Sequence, residues 1–324
     1  MSGHAMKRLN IAVIGGGNIA QQHLHVLKDL PEIETLILVD TDEETLQRTG
    51  DHFEIDRRLR SVDDLLNMDK LDAAFVLVSV LAVHEVATRF LSARIPTFLE
   101  KPPGLHTWQT RKLANLARER ATLAMVGVNR RFYSTCIAAR EAALEAGPIQ
   151  TVTVEAHEDI ERVRNGTKFP SEVLNRWSAA NGIHALDMIR FFGGDVSNVT
   201  AVRHTVENEM PDACGALIEF EKGGLGRASM DWIGPGGHRF EIRSGGMTLT
   251  SSSGYGTITV AERGKEPRLI EYDEIDRQYK PGFHRQDSTF LRCVQTGEPL
   301  PFPACDLDDA VKTMQLIDDI SGTQ

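Results

Sequence analysis

Gly15, Gly17 and Ala20 stand at the spacing G-x-G-x-x-A, and an acid, Asp40, follows roughly 20 residues after the turn, as in dinucleotide sites. The first glycine permits a tight turn. The second lets a pyrophosphate come against the main chain, and the small third residue lets the following helix lie close to the strand. At the start of that helix, Asn18 and Ile19 offer N–H groups and the positive end of a dipole to phosphate oxygens. Asp40 ends an apolar run at 35–39 and can accept hydrogen bonds from ribose hydroxyls. A 2′-phosphate would meet a like charge there, and Thr41, Asp42, Glu43 and Glu44 add more negative charge. NAD(H) is therefore expected over NADP(H), with Arg48, the nearest downstream base, pointing away. A glycine turn of this kind can also be plain structure; its strand, turn and helix order and the placing of Asp40 favour binding.

Two other places can move charge. Lys101, in F-L-E-K-P-P-G, follows an expected strand and can present a cation to an oxygen that gains or loses negative charge. Glu100 can hold that ammonium in place. His184 has an ordinary pKa near neutrality and suits proton transfer. Asp187 at i+3 and Asn181 at i−3 share its helix face. The plainer readings are a surface Glu–Lys pair at a loop start and a core histidine with Asp187 as a capping or salt-bridging group.

The elements that carry these residues fall into two kinds. Strands are expected at 9–14, 35–39, 72–79, 96–99 and 122–126. Helices are expected at 18–30, from Thr41, from Ser61 with Asp64 completing a capping box, at 82–93 and at 107–119. That alternation predicts an α/β Rossmann domain with a parallel sheet covered on both faces. Ligands bind outside the carboxyl ends of such strands, which brings Gly15, Asp40, Ser79 and Glu100 to one crevice. Past Gly127 the pattern becomes a helix at 132–146 and then strands at 151–158, 199–206, 215–221, 224–231, 240–243, 247–250 and 256–260. Helices interrupt at 182–192 and close the chain at 286–293 and 307–320. The second part is expected to be α+β with an open, mainly antiparallel sheet. The division expected is 6–128 for the nucleotide-binding domain and 129–324 for a substrate-binding and oligomerisation domain.

Composition sets limits. The 324 residues exceed a typical single domain. A net charge of −10 argues against a nucleic-acid partner, and no stretch is long and apolar enough to span a membrane. The first residues lack the apolar region of a signal peptide, with Met6 a plausible natural start. Cys136, Cys214, Cys293 and Cys305 form no C-x-x-C pair and have no histidine at metal-ligand spacing. Reduced thiols, a cytoplasmic location and no metal are expected.

Taken together, Gly15 to Ala20, His84 after the fourth strand, Glu100-Lys101-Pro102, Gly127 to Phe132 and Gly182 to Asp187 resemble the Gfo/Idh/MocA oxidoreductases over nearly the whole chain. The resemblance implies an NAD(P)-dependent dehydrogenase or reductase acting on a sugar or cyclitol. Lys101 and His184 would be catalytic, with Lys101 over the nicotinamide, and His84 would line the cofactor crevice, although an N-cap or core role fits His84 equally. Many members carry an aspartate four residues before the histidine; here that position is Ala180. Asp187 or Glu172 could substitute, the reaction could differ, or activity could be lost. Two other readings follow: a nucleotide-binding regulatory protein without redox turnover, and NAD-assisted glycoside hydrolysis. Arg131, Trp177 and Asn181 are candidate contacts to a polyhydroxylated substrate, with Lys168 and Arg176 from the polar segment before the His184 helix. Arg130 and Arg131 could equally pair with acids of the chain, and His23 and His25 read as packing or surface residues. An uncovered apolar sheet face is expected to join copies into a homodimer or homotetramer.

Overall fold

Burial sorts the strands of this chain into two sheets. In one, the central strands are buried on both faces; in the other, buried and exposed residues alternate, as expected of a sheet covered on one face. The computed structural model describes residues 7–68, 70–166, 169–206 and 211–323. The chain divides into two units.

The first unit contains β1 (Leu9–Ile14), α1 (Asn18–Asp29), β2 (Ile33–Val39), α2 (Glu43–His52), β3 (Arg57–Leu59), α3 (Val62–Leu66), β4 (Ala73–Val76), α4 (Val80–Ser92), β5 (Thr97–Glu100), most of α5 (Thr107–Arg120) and β6 (Ala124–Gly127). Ile11, Ala12, Val13, Ala73 to Val76, Phe98 and Leu99 are fully shielded from solvent. β1 to β6 pair in parallel in the order β6-β5-β4-β1-β2-β3. The order reverses between β4 and β1, where Gly15 follows the carboxyl end of β1, so the turn sits at the switch point where such sheets bind ligands.

The second unit begins with α6 (Ser134–Ala146), which follows a short 3-10 turn at Asn129–Phe132. Next come β7 (Ile149–Asp159), α7 (Ile160–Gly166), α8 (Ser171–Leu174), α9 (Trp177–Ala180) and α10 (Ile183–Gly193). The strands β8 (Val196–His204), β9 (Ala213–Phe220), β10 (Leu225–Asp231), β11 (Ile233–Ser244), β12 (Met247–Ser251), β13 (Thr257–Glu262) and β14 (Arg268–Glu271) complete the sheet. Its order is β14-β13-β12-β11-β7-β10-β9-β8. Every pair is antiparallel except β7 with β10, which run parallel, Thr151 beside Leu225. α10 packs its buried Leu186, Ile189 and Phe192 on one face of this sheet.

The opposite face is not the apolar surface expected from the sequence. It exposes Leu217 and Val202, but with Glu219, Arg227, Arg239 and Arg243 around them.

After α11 (Glu274–Gln278) the chain returns to the first unit, and the segment Gln278–Ala310 belongs there rather than with the stretch from 129 onward. Its α12 (Phe283–Thr296) lies against α1. Phe290 meets Phe75 edge-on at 5.4 Å and Phe98 at 5.8 Å between ring centres. β15 (Cys305–Asp306) adds an antiparallel edge to β6, and α13 (Leu307–Ser321) ends the chain.

Candidate functional site

The glycine turn has the geometry its residue types predict. Gly15 has φ +99°, and a Cβ there would come within 2.6 Å of the Leu77 carbonyl oxygen, so only glycine fits. Gly17 is exposed, and a Cβ added to it would meet nothing within 4 Å. It caps α1 without a side-chain bond, which leaves the first N–H groups, including those of Asn18 and Ile19, uncovered by any capping side chain. Ala20 is fully buried.

Asp40 ties the turn to the second strand. Its Oδ2 accepts the Gly16 N–H at 2.7 Å and its Oδ1 accepts the Asp42 N–H at 2.9 Å. Thr49 donates to the Gly16 carbonyl at 2.8 Å. The carboxylate is half-buried and keeps lone pairs for further donors. Asp42 caps α2 through the Thr45 N–H, and the Thr45 hydroxyl and then that N–H hold its carboxyl below the usual range. Arg48 is engaged by Thr45 and Glu44 on its own helix. Sequence reasoning missed Arg60, which donates to the Thr41 carbonyl at 3.3 Å and stands 3.2 Å from Glu43. It follows β3, a strand too short and too basic to be expected. Open main chain at Gly17, uncapped helix N–H groups and a carboxylate beside the turn all fit a dinucleotide.

Ser79 is exposed and caps α4 without a side-chain bond. His84 lies half-buried with its ring 5.7 Å from Trp108, edge-on. Burial, then Lys112, lower its pKa, so it is neutral near pH 7.

Glu100, expected to steady the Lys101 ammonium, accepts the Lys101 backbone N–H at Oε2, 2.7 Å. Its other oxygen lies 3.7 Å from His23 Nε2. Thus His23, one of two histidines read as packing or surface residues, is a buried polar partner of the Glu-Lys-Pro motif. Its Nδ1 lies 2.8 and 3.0 Å from the two oxygens of Asp287. Burial opposes a charge on His23, but Asp287 and then Glu100 outweigh it and push its pKa up to about 9.

In the second unit, His184 is the second residue of α10, half-buried, its N–H bonded to the Asn181 carbonyl at 3.1 Å. Asp187, a candidate to substitute for the aspartate at the position of Ala180 or else a salt-bridging group, is 2% exposed and held by Arg131 through Nε at 2.7 Å and Nη2 at 2.6 Å, with Thr313 donating at 2.8 Å. Arg131, expected to meet substrate, is 3% exposed and committed to that pair. Arg176 is likewise buried, bonded to Asp318 at 2.7 Å and to the carbonyls of Leu105 and Thr323. Glu172 is exposed on α8. Lys168 lies outside the described residues.

Trp177 and Asn181 converge on a residue that the sequence reading passed over. Glu158 Oε2 accepts from Trp177 Nε1 at 2.9 Å, and its Oε1 accepts from Asn181 Nδ2 at 2.6 Å. His238 Nε2 lies 2.7 Å from the same Oε1, and Arg130 reaches His238 Nδ1 at 2.6 Å. Burial raises the Glu158 pKa, but His238, Trp177 and Asn181 outweigh it, so the group is held ionised. One signal could have found it. Val152, Val154 and Ala156 point to the covered face of β7, and the next inward position on that strand is Glu158, an acid where the pattern wants an apolar residue. Trp177 is 6% exposed and Ala180 is 5% exposed.

Among the described residues, no three His, Cys, Asp or Glu side chains are placed to hold a metal ion, and no helix is long and apolar enough to cross a membrane. No disulfide links the four cysteines.

Residues 9–128 match the family described as an oxidoreductase family with an NAD-binding Rossmann fold, and residues 145–247 match the GFO/IDH/MocA C-terminal domain. A D-apiose dehydrogenase from Paraburkholderia graminis is 27% identical over 229 residues, which cover 67% of this chain but only 59% of that protein. Two solved structures share the fold. A dehydrogenase from Chromobacterium violaceum aligns with TM-score 0.86 at 18% identity, over 99% of this chain and 96% of its own. An oxidoreductase from Agrobacterium radiobacter, solved with NAD+, L-tartaric acid and magnesium, aligns with TM-score 0.78 at 19% identity, over 96% of this chain and 95% of its own. With both of its domains matched and its glycine turn shaped for a dinucleotide, the chain belongs to the Gfo/Idh/MocA oxidoreductase family.

Proposed function

We propose that this protein is an NAD-dependent dehydrogenase that interconverts a secondary alcohol and a ketone on a sugar- or cyclitol-like substrate. The observation that carries this reading is the first unit's pairing of a dinucleotide turn with Lys101. The lysine follows the carboxyl end of β5 and its N–H is fixed by Glu100 at 2.7 Å. Bound nicotinamide supplies the hydride chemistry. Lys101 offers its ammonium to the substrate oxygen, where negative charge grows as the hydroxyl proton leaves. His184 takes that proton, or returns it in the reverse direction.

Asp187 carries none of this traffic in our reading, because Arg131 and Thr313 occupy its oxygens. Glu158 instead supplies the negative charge that many relatives place four residues before the histidine, and it receives a substrate hydroxyl. Trp177 and Asn181 act by orienting it. The D-apiose dehydrogenase relative supports a neutral sugar as substrate. Asp40 favours NAD(H) over NADP(H) through the charge at the ribose. A cytoplasmic location suits four cysteines without a disulfide. Self-association through the open face of the second sheet would use Leu217 and Val202 within a rim of charged side chains.

Incubation with NAD+ and a panel of pentoses, hexoses and cyclitols, D-apiose included, tests the reading. At least one sugar should drive formation of reduced nicotinamide. A folded protein that binds NADH yet reduces NAD+ with none of them would favour the regulatory alternative, and sugar release from a glycoside without net reduction would favour hydrolysis.

A further inference from the structure

His23, Asp287 and Glu100 form a sealed ionic cluster that ends on the residue before Lys101. The His23 and Asp287 side chains are 0% exposed and that of Glu100 is 9% exposed. Three rings wall the imidazole: Phe283 at 4.7 Å, Phe98 at 5.2 Å and Phe75 at 5.7 Å between centres. Two acids face the ring nitrogens of His23, Asp287 from α12 and Glu100 from β5, and Lys280 stands over the outer Phe283 ring at 4.7 Å. Burial, with Glu100 adding to it, pushes the Asp287 carboxyl up against the opposing pull of His23 and then His284, which is why the aspartate depends on the charge of His23.

A neutral imidazole has one N–H and one lone pair. Here both ring nitrogens face carboxylates, so a neutral ring would turn its lone pair on one of two buried anions. A proton on each nitrogen removes that conflict, and burying an unpaired carboxylate is costly enough to enforce it. The next link is already bonded: the Glu100 oxygen not turned toward His23 accepts the Lys101 N–H.

We propose that His23 is a positioning residue for Lys101: a buried imidazolium, braced by Asp287, that holds Glu100 turned toward the lysine. It touches neither cofactor nor substrate. Without its charge, no cation would stand between Glu100 and Asp287, Glu100 would turn away from the pocket, and Lys101 would lose the anion that supports its own charge. The proposal rests on the role given to Lys101 above, but it can be tested without turnover.

Two measurements on the full chain decide it. In the first, nitrogen-15 spectra of histidine-labelled protein should show both His23 ring nitrogens protonated at pH 8, assigned by loss of the signal in His23→Gln or by its displacement in Asp287→Asn. A neutral tautomer at that pH would overturn the proposal. In the second, lysines are labelled by reductive methylation with carbon-13 and Lys101 is assigned with Lys101→Arg. Its titration midpoint should fall by about one pKa unit or more in His23→Gln. Glu100→Gln should give a similar fall, and the double variant no further fall, since both remove one interaction. A Lys101 titration in folded His23→Gln that matches wild type, or additive effects in the double variant, would overturn it. Loss of sugar oxidation alone in Lys101→Ala bears on the enzyme reading and leaves these spectra unchanged in meaning.

Discussion

Arg131 grips Asp187 with two parallel hydrogen bonds, Nε to Oδ2 at 2.7 Å and Nη2 to Oδ1 at 2.6 Å, and both side chains are sealed from solvent. Because Asp187 stands one helical turn beyond His184, it looks like a catalytic partner in sequence. The geometry makes it the anchor of α10. Asp187→Ala would leave a buried guanidinium without its anion and should cost about 3–5 kcal/mol, read by urea unfolding. Turnover per folded molecule should stay within a few-fold of wild type; a large loss of turnover with stability intact would restore Asp187 to the chemistry.

The two glycines of the turn should respond differently to the same change. Gly15→Ala drives a Cβ into the Leu77 carbonyl at a positive φ, so it should destabilise the first unit. Gly17→Ala meets no protein atom and should leave stability within about 1 kcal/mol. It should nonetheless weaken NADH binding by about tenfold or more, roughly 1.4 kcal/mol, because the added methyl occupies the phosphate's approach. Fluorescence titration and thermal melts on both variants separate the effects. Unchanged NADH affinity in Gly17→Ala would contradict the assignment of the turn.

Asp40 both fixes the Gly16 N–H and sets charge at the ribose. Wild-type protein should bind NADH at least about tenfold more tightly than NADPH. Replacing Asp40 with Ser and Thr41 with Arg should narrow or invert the ratio while weakening NADH as well, since the turn loses its bond. Equal or tighter NADPH binding by the wild type would refute the preference and turn attention to Arg60, which already reaches the Thr41 carbonyl.

His23 makes stability depend on pH in a defined window. Its pKa rises from 6.5 to about 9 on folding, so the folded state holds the proton more tightly than the unfolded chain. The contribution is complete below pH 6.5 and is lost as pH climbs through 9. Its size is about 3 kcal/mol. Denaturant titrations across that range should show a falling stability that is flattened in His23→Gln. Equal slopes for the two proteins would rule out the charged cluster.

Much of the first unit was legible because the strands β1, β4 and β5 are short apolar runs between helical patterns, and a glycine turn has few other uses at a switch point. β3 and β15 were not, since three residues of Arg-Arg-Leu and a Cys-Asp pair carry no period. The open second sheet announced itself by alternation, but nothing in alternation tells a strand which way its neighbour runs, so the parallel pairing of β7 with β10 came only from the fold. Local geometry was readable where a motif fixes it, as at Gly15 and in the placing of Asp40 beside the turn. Partners were not readable where they are remote in sequence. Asp287 is 264 positions from His23, and Arg131 is 56 positions from Asp187. Glu158 is the instructive middle case: its inward parity on β7 was readable, but its partners were not.

The most direct measurement is the turnover of Lys101→Ala on the sugar that wild-type protein oxidises with NAD+. With NADH binding and folding retained, the loss of the cation at the reacting oxygen should lower kcat by about a hundredfold or more. A variant that keeps turnover within a few-fold of wild type would contradict the account at its centre.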